Sequence, residues 1–213
     1  KDQKVSVSFS SEMFETLDVF VFTLGLTEGW INTATGQSYS LCPGTGVGDF
    51  DPAVHAFHNY RYAEIRSGLE QALTAMWALN PNLKVLLTVS PVPLVATASG
   101  DHVLVATQYS KSVLRAVAGD AAQDHPAVEY FPSYEIIAAP PTRGAFFEPN
   151  LRGIAAEGVE LVMRHFFAGI DLTAPASGRK TADDAARKEA DLRRTAQEKL
   201  VCEEMILERF NEA

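Results

Sequence analysis

The run Val19-Phe20-Val21-Phe22-Thr23-Leu24 constrains the fold more than any other part of the sequence. All but one of its residues are apolar, most are β-branched or aromatic, and Gly25 follows directly. A continuous apolar run of this length is typical of a strand that is buried on both faces of a parallel sheet. We therefore predict a central strand over residues 19–24.

The apolar pattern then alternates between helix and strand. Over residues 59–79 apolar side chains recur every three or four residues, which is typical of a helix with one buried face, and Asn80-Pro81-Asn82 ends it. Alternating elements of this kind predict an α/β domain whose parallel sheet is covered by helices on both faces. The other predicted elements are strands at residues 84–89 and 128–131 and helices at residues 109–118 and 154–167.

Two kinds of segment depart from this alternation. Residues 32–52 are rich in Gly, Thr, Ser and Pro and predict a long loop, and long loops in compact domains are often functional. After a domain over residues 1–171, residues 172–180 read as a linker and residues 181–213 as a long charged helix. That helix either lies on the domain with its charged face in solvent or recruits a protein partner.

Charge and cysteine usage exclude several classes of partner. The formal net charge of -9 and the lack of a Lys/Arg block argue against nucleic acid. Cys42 and Cys202 have the spacing of neither a metal site nor a disulfide framework, so we expect free thiols in the cytoplasm. No apolar run is long enough for a membrane span, and no metal or cofactor is indicated. Because Lys1 is not a start methionine, an upstream segment or domain is compatible with this sequence.

Three predicted strands end in polar residues. These ends are Gly25-Leu26-Thr27-Glu28, Ser90-Pro91-Val92-Pro93 and Pro132-Ser133-Tyr134-Glu135. In an open parallel sheet, ligands bind at the carboxyl ends of the strands. A hydroxyl or carboxylate there, together with a backbone N–H, is suited to hold a developing oxyanion. We therefore expect the chemistry of this chain at that edge of the sheet.

The individual candidates each have two interpretations. Glu28 is either a general base or histidine orienter, or it caps the following turn. Thr27 either donates to an oxyanion or bonds local backbone, and Gly25 allows a tight turn or close ligand approach. His102 follows Asp101 in the segment leaving the Ser90 strand end and is the histidine best placed for catalysis. We expect structural or exposed positions for His55, His58, His125 and His165.

No standard nucleophile or nucleotide motif is present. The sequence lacks a Gly-x-Ser-x-Gly elbow, a phosphate-binding Gly-x-x-x-x-Gly-Lys-Ser/Thr loop and a His-Glu-x-x-His zinc helix. Gly44-Thr45-Gly46-Val47-Gly48 is glycine-rich but does not lie between a strand and a helix, as a dinucleotide loop requires.

Several strings taken together resemble the GSCFA family, which is related to the SGNH or GDSL-like hydrolases. The resemblance covers roughly residues 17–167. Its strings are residues 18–28, Ser90-Pro91-Val92-Pro93-Leu94 with Ala96-Thr97, residues 102–107 leading into Ser110-Lys111-Ser112-Val113-Leu114-Arg115, and Tyr130-Phe131-Pro132-Ser133-Tyr134-Glu135-Ile136.

The resemblance implies a three-layer, flavodoxin-like fold and a serine nucleophile in a Gly-Ser-Cys-Phe-Ala string. This sequence does not contain that string, so we expect the nucleophile segment to precede the chain. Gly25-x-Thr27-Glu28 resembles the oxyanion block of the wider superfamily, with Thr-Glu in place of Asn-Asp. Residues 147–154 correspond to the usual Asp-x-x-His region but contain no histidine.

Two functions are therefore predicted. The first is a serine esterase or O-acyltransferase of SGNH type that acts on an acylated carbohydrate or similar ester. Its catalytic residues are Glu28 and His102, and Gly25, Thr27 and Ser90 bind the oxyanion or substrate. The alternative is a catalytically inactive binding or scaffold module that recruits a partner through residues 181–210 of its C-terminal helix.

Overall fold

The computed structural model describes residues 13–39, 41–46 and 48–169. The predicted linker and charged C-terminal helix therefore lie outside the described residues. Within them no helix is long and apolar enough to cross a bilayer. The elements, in chain order, are β1 (Val19–Leu24), β2 (Glu28–Asn32), β3 (Ser38–Tyr39), β4 (His55–Asn59), α1 (Tyr62–Leu79), β5 (Lys84–Val89), α2 (Val103–Asp124), β6 (Val128–Phe131), α3 (Ser133–Ala138), a 3-10 turn (Pro140–Thr142) and α4 (Ala156–Gly169).

A parallel sheet with the order β1-β5-β6 confirms the predicted α/β class and the bounds of all three predicted strands. β5 is the central strand of this sheet in the described part of the chain, and β1 borders it. Val85, Leu87 and Val89 of β5 are buried, whereas Val19 and Val21 of β1 are 47% and 48% exposed. Among the described strands, residues 19–24 therefore form an edge strand, and the prediction of a central strand is corrected.

The hydrophobic core lies between this sheet and helices α1 and α2. Leu73 of α1, Leu87 of β5 and Val117 of α2 are fully buried in one cluster. Ion pairs tie the two helices together at the surface, since Arg66 contacts Asp124 at 2.6 Å. α2 begins at Val103, earlier than predicted, because His102 caps it: the His102 Nδ1 accepts a hydrogen bond from the backbone N–H of Leu104 at 3.3 Å.

A second, antiparallel sheet with the order β3-β2-β4 was not predicted. β2 pairs with β4 from Glu28 opposite Asn59 to Asn32 opposite His55. The aromatic ring of Trp30 on β2 packs edge-on against Phe57 on β4, with 5.8 Å between centroids. The predicted long loop joins these two strands and contains only the short strand β3 in its described part.

Gly158 lies on α4, where this helix packs against α3 and the loop that precedes α4. A Cβ at Gly158 would come within 2.9 Å of the Phe146 Cβ, 3.0 Å of the Ile154 Cγ2 and 3.1 Å of the Ile137 Cδ1. By contrast, Gly68 on α1 is exposed, and a Cβ there would meet nothing within 4 Å. Only the first glycine is therefore required by packing.

We predict opposite effects for alanine at these two helical glycines. Gly158→Ala overpacks a buried contact and should lower the free energy of unfolding by about 1–3 kcal/mol. Gly68→Ala should raise it by about 0.5–1 kcal/mol, because alanine is the better helix former and has room for its methyl group. Urea unfolding of both variants measures the two changes. A stability at or above wild type for Gly158→Ala would contradict this packing.

Candidate functional site

A cavity of about 590 Å³ opens at the carboxyl ends of β1 and β5, where the sequence predicted the chemistry. Its size lies within the range of about 300–1,000 Å³ that is usual for small-molecule sites. Segments that are far apart in sequence meet around it. The lining residues include Gly25, Leu26, Glu28, Gly29, Trp30, Leu41, Cys42, Thr45, Phe50, Phe57, Ser90, residues 92–98, Lys111 and Arg152.

The second sheet and the long loop form the aromatic wall of the cavity. Trp30 of β2 packs edge-on against Phe50 of the loop, with 5.4 Å between ring centroids, and edge-on against Phe57 of β4. Sequence reasoning missed this wall, although the loop was expected to be functional. Burial raises the pKa of the Cys42 thiol, which lines the cavity, so the thiolate is disfavoured.

Glu28 lies in the cavity wall at the start of β2, as its position after a strand end suggested. The Thr97 hydroxyl donates a hydrogen bond to its Oε1 at 2.6 Å. The Thr97 Oγ1 in turn accepts a hydrogen bond from the backbone N–H of Ser99 at 3.0 Å. The orientation of the Glu28 side chain is therefore set by Thr97 of the 92–98 segment.

Thr27 is placed differently from its neighbour. Only 1% of Thr27 is exposed, and it is not among the lining residues. Its hydroxyl lies 2.7 Å from the Asn59 Oδ1 and 2.7 Å from the Ser110 Oγ. This geometry favours a positioning role behind the wall over the predicted oxyanion role, because both neighbours already engage the hydroxyl.

The backbone of Gly25 contacts a buried lysine, Lys111, which the sequence analysis did not single out. Its carbonyl oxygen accepts a hydrogen bond from the Lys111 Nζ at 2.9 Å, and both residues line the cavity. Lys111 is only 1% exposed, and within the described residues it forms no ion pair. Desolvation by burial lowers the pKa of the Lys111 ammonium from 10.5 to about 8.

A signal for Lys111 was present in the sequence. Lys111 lies three, seven and ten residues before Leu114, Ala118 and Ala121, which are all buried on one face of α2. A lysine on the buried face of a helix is rare, because burying its charge is unfavourable. Such a lysine is a candidate for a functional site.

Ser90 also lies in the cavity, directly after β5. Its backbone N–H donates to the Leu24 carbonyl at 2.9 Å, which extends the ladder between β5 and β1 by one bond. Its Oγ accepts a hydrogen bond from the Val92 N–H at 3.3 Å. Among the serines that the structure describes, Ser90 is the one that lines the cavity.

None of the five histidines of the sequence, all of which lie in the described residues, lines the cavity. His102 is exposed and caps α2, so its position does not support the predicted role as a base. The other histidines have the structural or exposed positions that we expected: His58 contacts Glu64 at 2.8 Å, His125 contacts Glu70 at 3.0 Å, His55 accepts from the Asp51 N–H at 3.1 Å, and His165 is exposed.

Residues 147–154, which correspond to the usual Asp-x-x-His region, reach the cavity through Arg152. The loop is held in shape by Asn150, whose Oδ1 accepts hydrogen bonds from the N–H groups of Arg152 and Gly153 at 2.9 and 2.8 Å. Leu151 has a positive φ of 58°, which is uncommon for a leucine. An arginine therefore occupies this part of the wall.

Fold and site together define an α/β domain with a ligand-sized cavity at the carboxyl ends of its parallel strands. The sequence model of the GSCFA family matches residues 1–166, and the chain belongs to this family. Comparisons with curated proteins and with solved structures give no match. In the described part of the chain, no cluster of His, Cys, Asp and Glu is suited to hold a metal ion.

Lys111 predicts a specific dependence of stability on pH. Its pKa in the folded protein, about 8, lies below the ordinary 10.5, so between these values the unfolded chain holds a proton that the folded chain lacks. The Lys111 contribution to the free energy of unfolding therefore rises with pH in this window. The difference between wild type and Lys111→Met should shift in favour of wild type by about 2 kcal/mol from about pH 7 to about pH 9.5.

Urea unfolding at both pH values measures this shift, and Lys84→Met is the matched control. Lys84 is exposed at the start of β5, so its difference from wild type should stay constant over the same range. A constant difference for Lys111→Met as well would contradict a desolvated ammonium.

Proposed function

We propose that this GSCFA domain is a serine esterase or O-acyltransferase of SGNH type, and that the cavity is its ester-binding site. One observation carries the proposal. A carboxylate, a serine hydroxyl and a buried ammonium, from Glu28, Ser90 and Lys111, line the same cavity at the carboxyl ends of two parallel strands. This is the part of an open α/β sheet where ligands bind.

The arrangement of the family strings supports the same proposal. The block containing Gly25 and Glu28, the block beginning at Ser90 and the loop that carries Arg152 all contribute to the cavity wall. In an SGNH-type site the oxyanion block and the C-terminal block face the same substrate. The three-layer, flavodoxin-like arrangement is part of this proposal.

The reaction transfers an acyl group from an ester oxygen. In hydrolysis the acyl carbon–oxygen bond breaks, water supplies the new oxygen to the acyl carbon, and the alcohol leaves with a proton. The developing negative charge on the carbonyl oxygen requires donors at the strand ends, and Lys111 is the buried cation nearest to the Gly25 carbonyl there. Because no histidine lines the cavity, we assign proton acceptance to Glu28.

The nucleophile follows from the resemblance rather than from the cavity. The resemblance assigns it to a serine in a Gly-Ser-Cys-Phe-Ala string, which the printed sequence does not contain. Ser90 is the described serine that shares the cavity with Glu28. A fluorophosphonate probe, which bonds covalently to activated serines, distinguishes the two assignments by peptide mapping.

We predict that the protein cleaves p-nitrophenyl acyl esters and that Glu28→Gln lowers kcat by about 10²–10⁴-fold, the usual contribution of general acid–base catalysis. Thr97→Val removes the hydroxyl that orients Glu28 and should lower kcat by about tenfold. Glu129→Gln, at an exposed position on β6, is the matched control and should leave kcat unchanged.

Two results would refute the esterase assignment. The first is the absence of both ester cleavage and fluorophosphonate labelling in the natural protein. The second is equal turnover by Glu28→Gln and wild type, which would remove Glu28 from the reaction.

A further inference from the structure

The cavity combines a buried cation with walls that are mostly apolar. Lys111 is 1% exposed, and the contact of its Nζ is the Gly25 carbonyl oxygen, a neutral group. A hydrogen bond to one carbonyl leaves two of the three ammonium donors for other partners. A buried charge is stabilised far more by an opposite charge than by a dipole alone, so this position favours an anion.

The opening of the cavity is apolar as well. Leu26, Leu41 and Phe50 line it and yet are 46%, 58% and 45% exposed. Trp30 and Phe57 of the second sheet are less exposed and also line the cavity, as does the 92–98 segment, most of which is apolar. Exposed apolar side chains that converge on a cavity are characteristic of a surface that binds an apolar partner.

We propose that the cavity binds an aliphatic carboxylate of medium chain length, with its carboxylate on Lys111 and its chain along the aromatic and aliphatic walls. The inference rests on the proposed function, because such a carboxylate is the acid that hydrolysis of an aliphatic acyl ester releases. It narrows the substrate class from esters in general to aliphatic acyl esters.

The composition of the walls favours this class over the acylated carbohydrate that the resemblance suggested. A sugar presents several hydroxyl groups, and each one that is buried without a hydrogen-bond partner is unfavourable. The polar side chains of the lining are outnumbered by apolar ones, and Glu28 is already engaged by Thr97. A methylene chain needs no such partners, and each buried methylene strengthens binding.

Calorimetric binding of three ligands to the protein tests the inference without any turnover. Decanoate has the chain and the charge, decanol has the chain alone, and acetate has the charge alone. We expect decanoate to bind about tenfold or more tightly than decanol, because of the charged hydrogen bond to Lys111. Acetate should bind more than about 100-fold more weakly than decanoate, because it buries no chain.

Lys111→Met is the decisive variant. It should bind decanoate no more tightly than decanol, while its affinity for decanol stays near that of wild type and shows that the cavity is intact. Lys84→Met, at an exposed site on β5, should retain the full preference for decanoate. An unchanged preference for decanoate in Lys111→Met would overturn the inference. The absence of decanoate binding to wild type would also overturn it, even if the reason were that another segment of the chain fills the cavity.

Failure of the inference and failure of the proposed function are distinguishable. If decanoate binds through Lys111 but no ester is cleaved, the carboxylate site stands and the esterase proposal fails. If short acetyl esters are cleaved but decanoate does not bind, the esterase proposal stands and the aliphatic substrate class is wrong.

Discussion

The hydrogen bonds of Thr27 join the two sheets, and the site depends on them. The Thr27 hydroxyl lies within 2.7 Å of Asn59 at the end of β4 and of Ser110 on α2, and the Thr27 carbonyl accepts from the Tyr60 N–H at 2.8 Å. Thr27 lies between β1 of the parallel sheet and β2 of the antiparallel sheet. These contacts therefore fix the angle at which the aromatic wall meets the strand ends. Because Thr27 is only 1% exposed, breaking one of these bonds leaves a polar group of Thr27 unpaired away from water.

The same stretch of α2 also supplies the cation of the site. Ser110 holds Thr27, and Lys111 directly after it holds the carbonyl oxygen of Gly25. Burying an ammonium against a neutral carbonyl destabilises the folded protein, as the lowered pKa of Lys111 reflects. Destabilising groups of this kind are typical of functional sites, where binding or catalysis requires them. The hydrogen bond between Ser110 and Thr27 anchors the same turn of α2, so Lys111 leaves the helix from a fixed stretch of backbone.

The sequence predicted the strands of the parallel sheet well and the antiparallel sheet not at all. Residues 19–24, 84–89 and 128–131 are short runs of mostly apolar residues bounded by turn residues, so their pattern is local and strong. β2 and β4 are short and mix polar with aromatic residues, as in His55-Ala56-Phe57-His58-Asn59. Their pairing is set by contacts across the long loop, which no local pattern encodes.

For the site, position after a strand end placed Glu28, Ser90 and Gly25 in the cavity wall, because parallel strands bring their carboxyl ends together. The same rule did not distinguish Thr27 from Glu28, since adjacent residues point to opposite sides of an extended chain. It also favoured His102 because of its neighbour Asp101, whereas the helix that begins at Val103 uses that imidazole as a cap. Adjacency in sequence was a poor guide to proximity there.

The lack of an imidazole in the wall changes which chemistry the site can perform. An Asp-x-x-His pair gives a nucleophile a base that is near its own charge transition at neutral pH. Here the corresponding loop contributes Arg152, and an arginine stays protonated and accepts no proton. Glu28 is then the one carboxylate among the lining residues that the structure describes, and its partner Thr97 fixes its direction. The buried ammonium of Lys111 in the same wall favours an anionic product or intermediate, and the apolar side chains favour an aliphatic chain. These two preferences are the basis for the ligand that we propose, a carboxylate or oxyanion carried on an aliphatic chain.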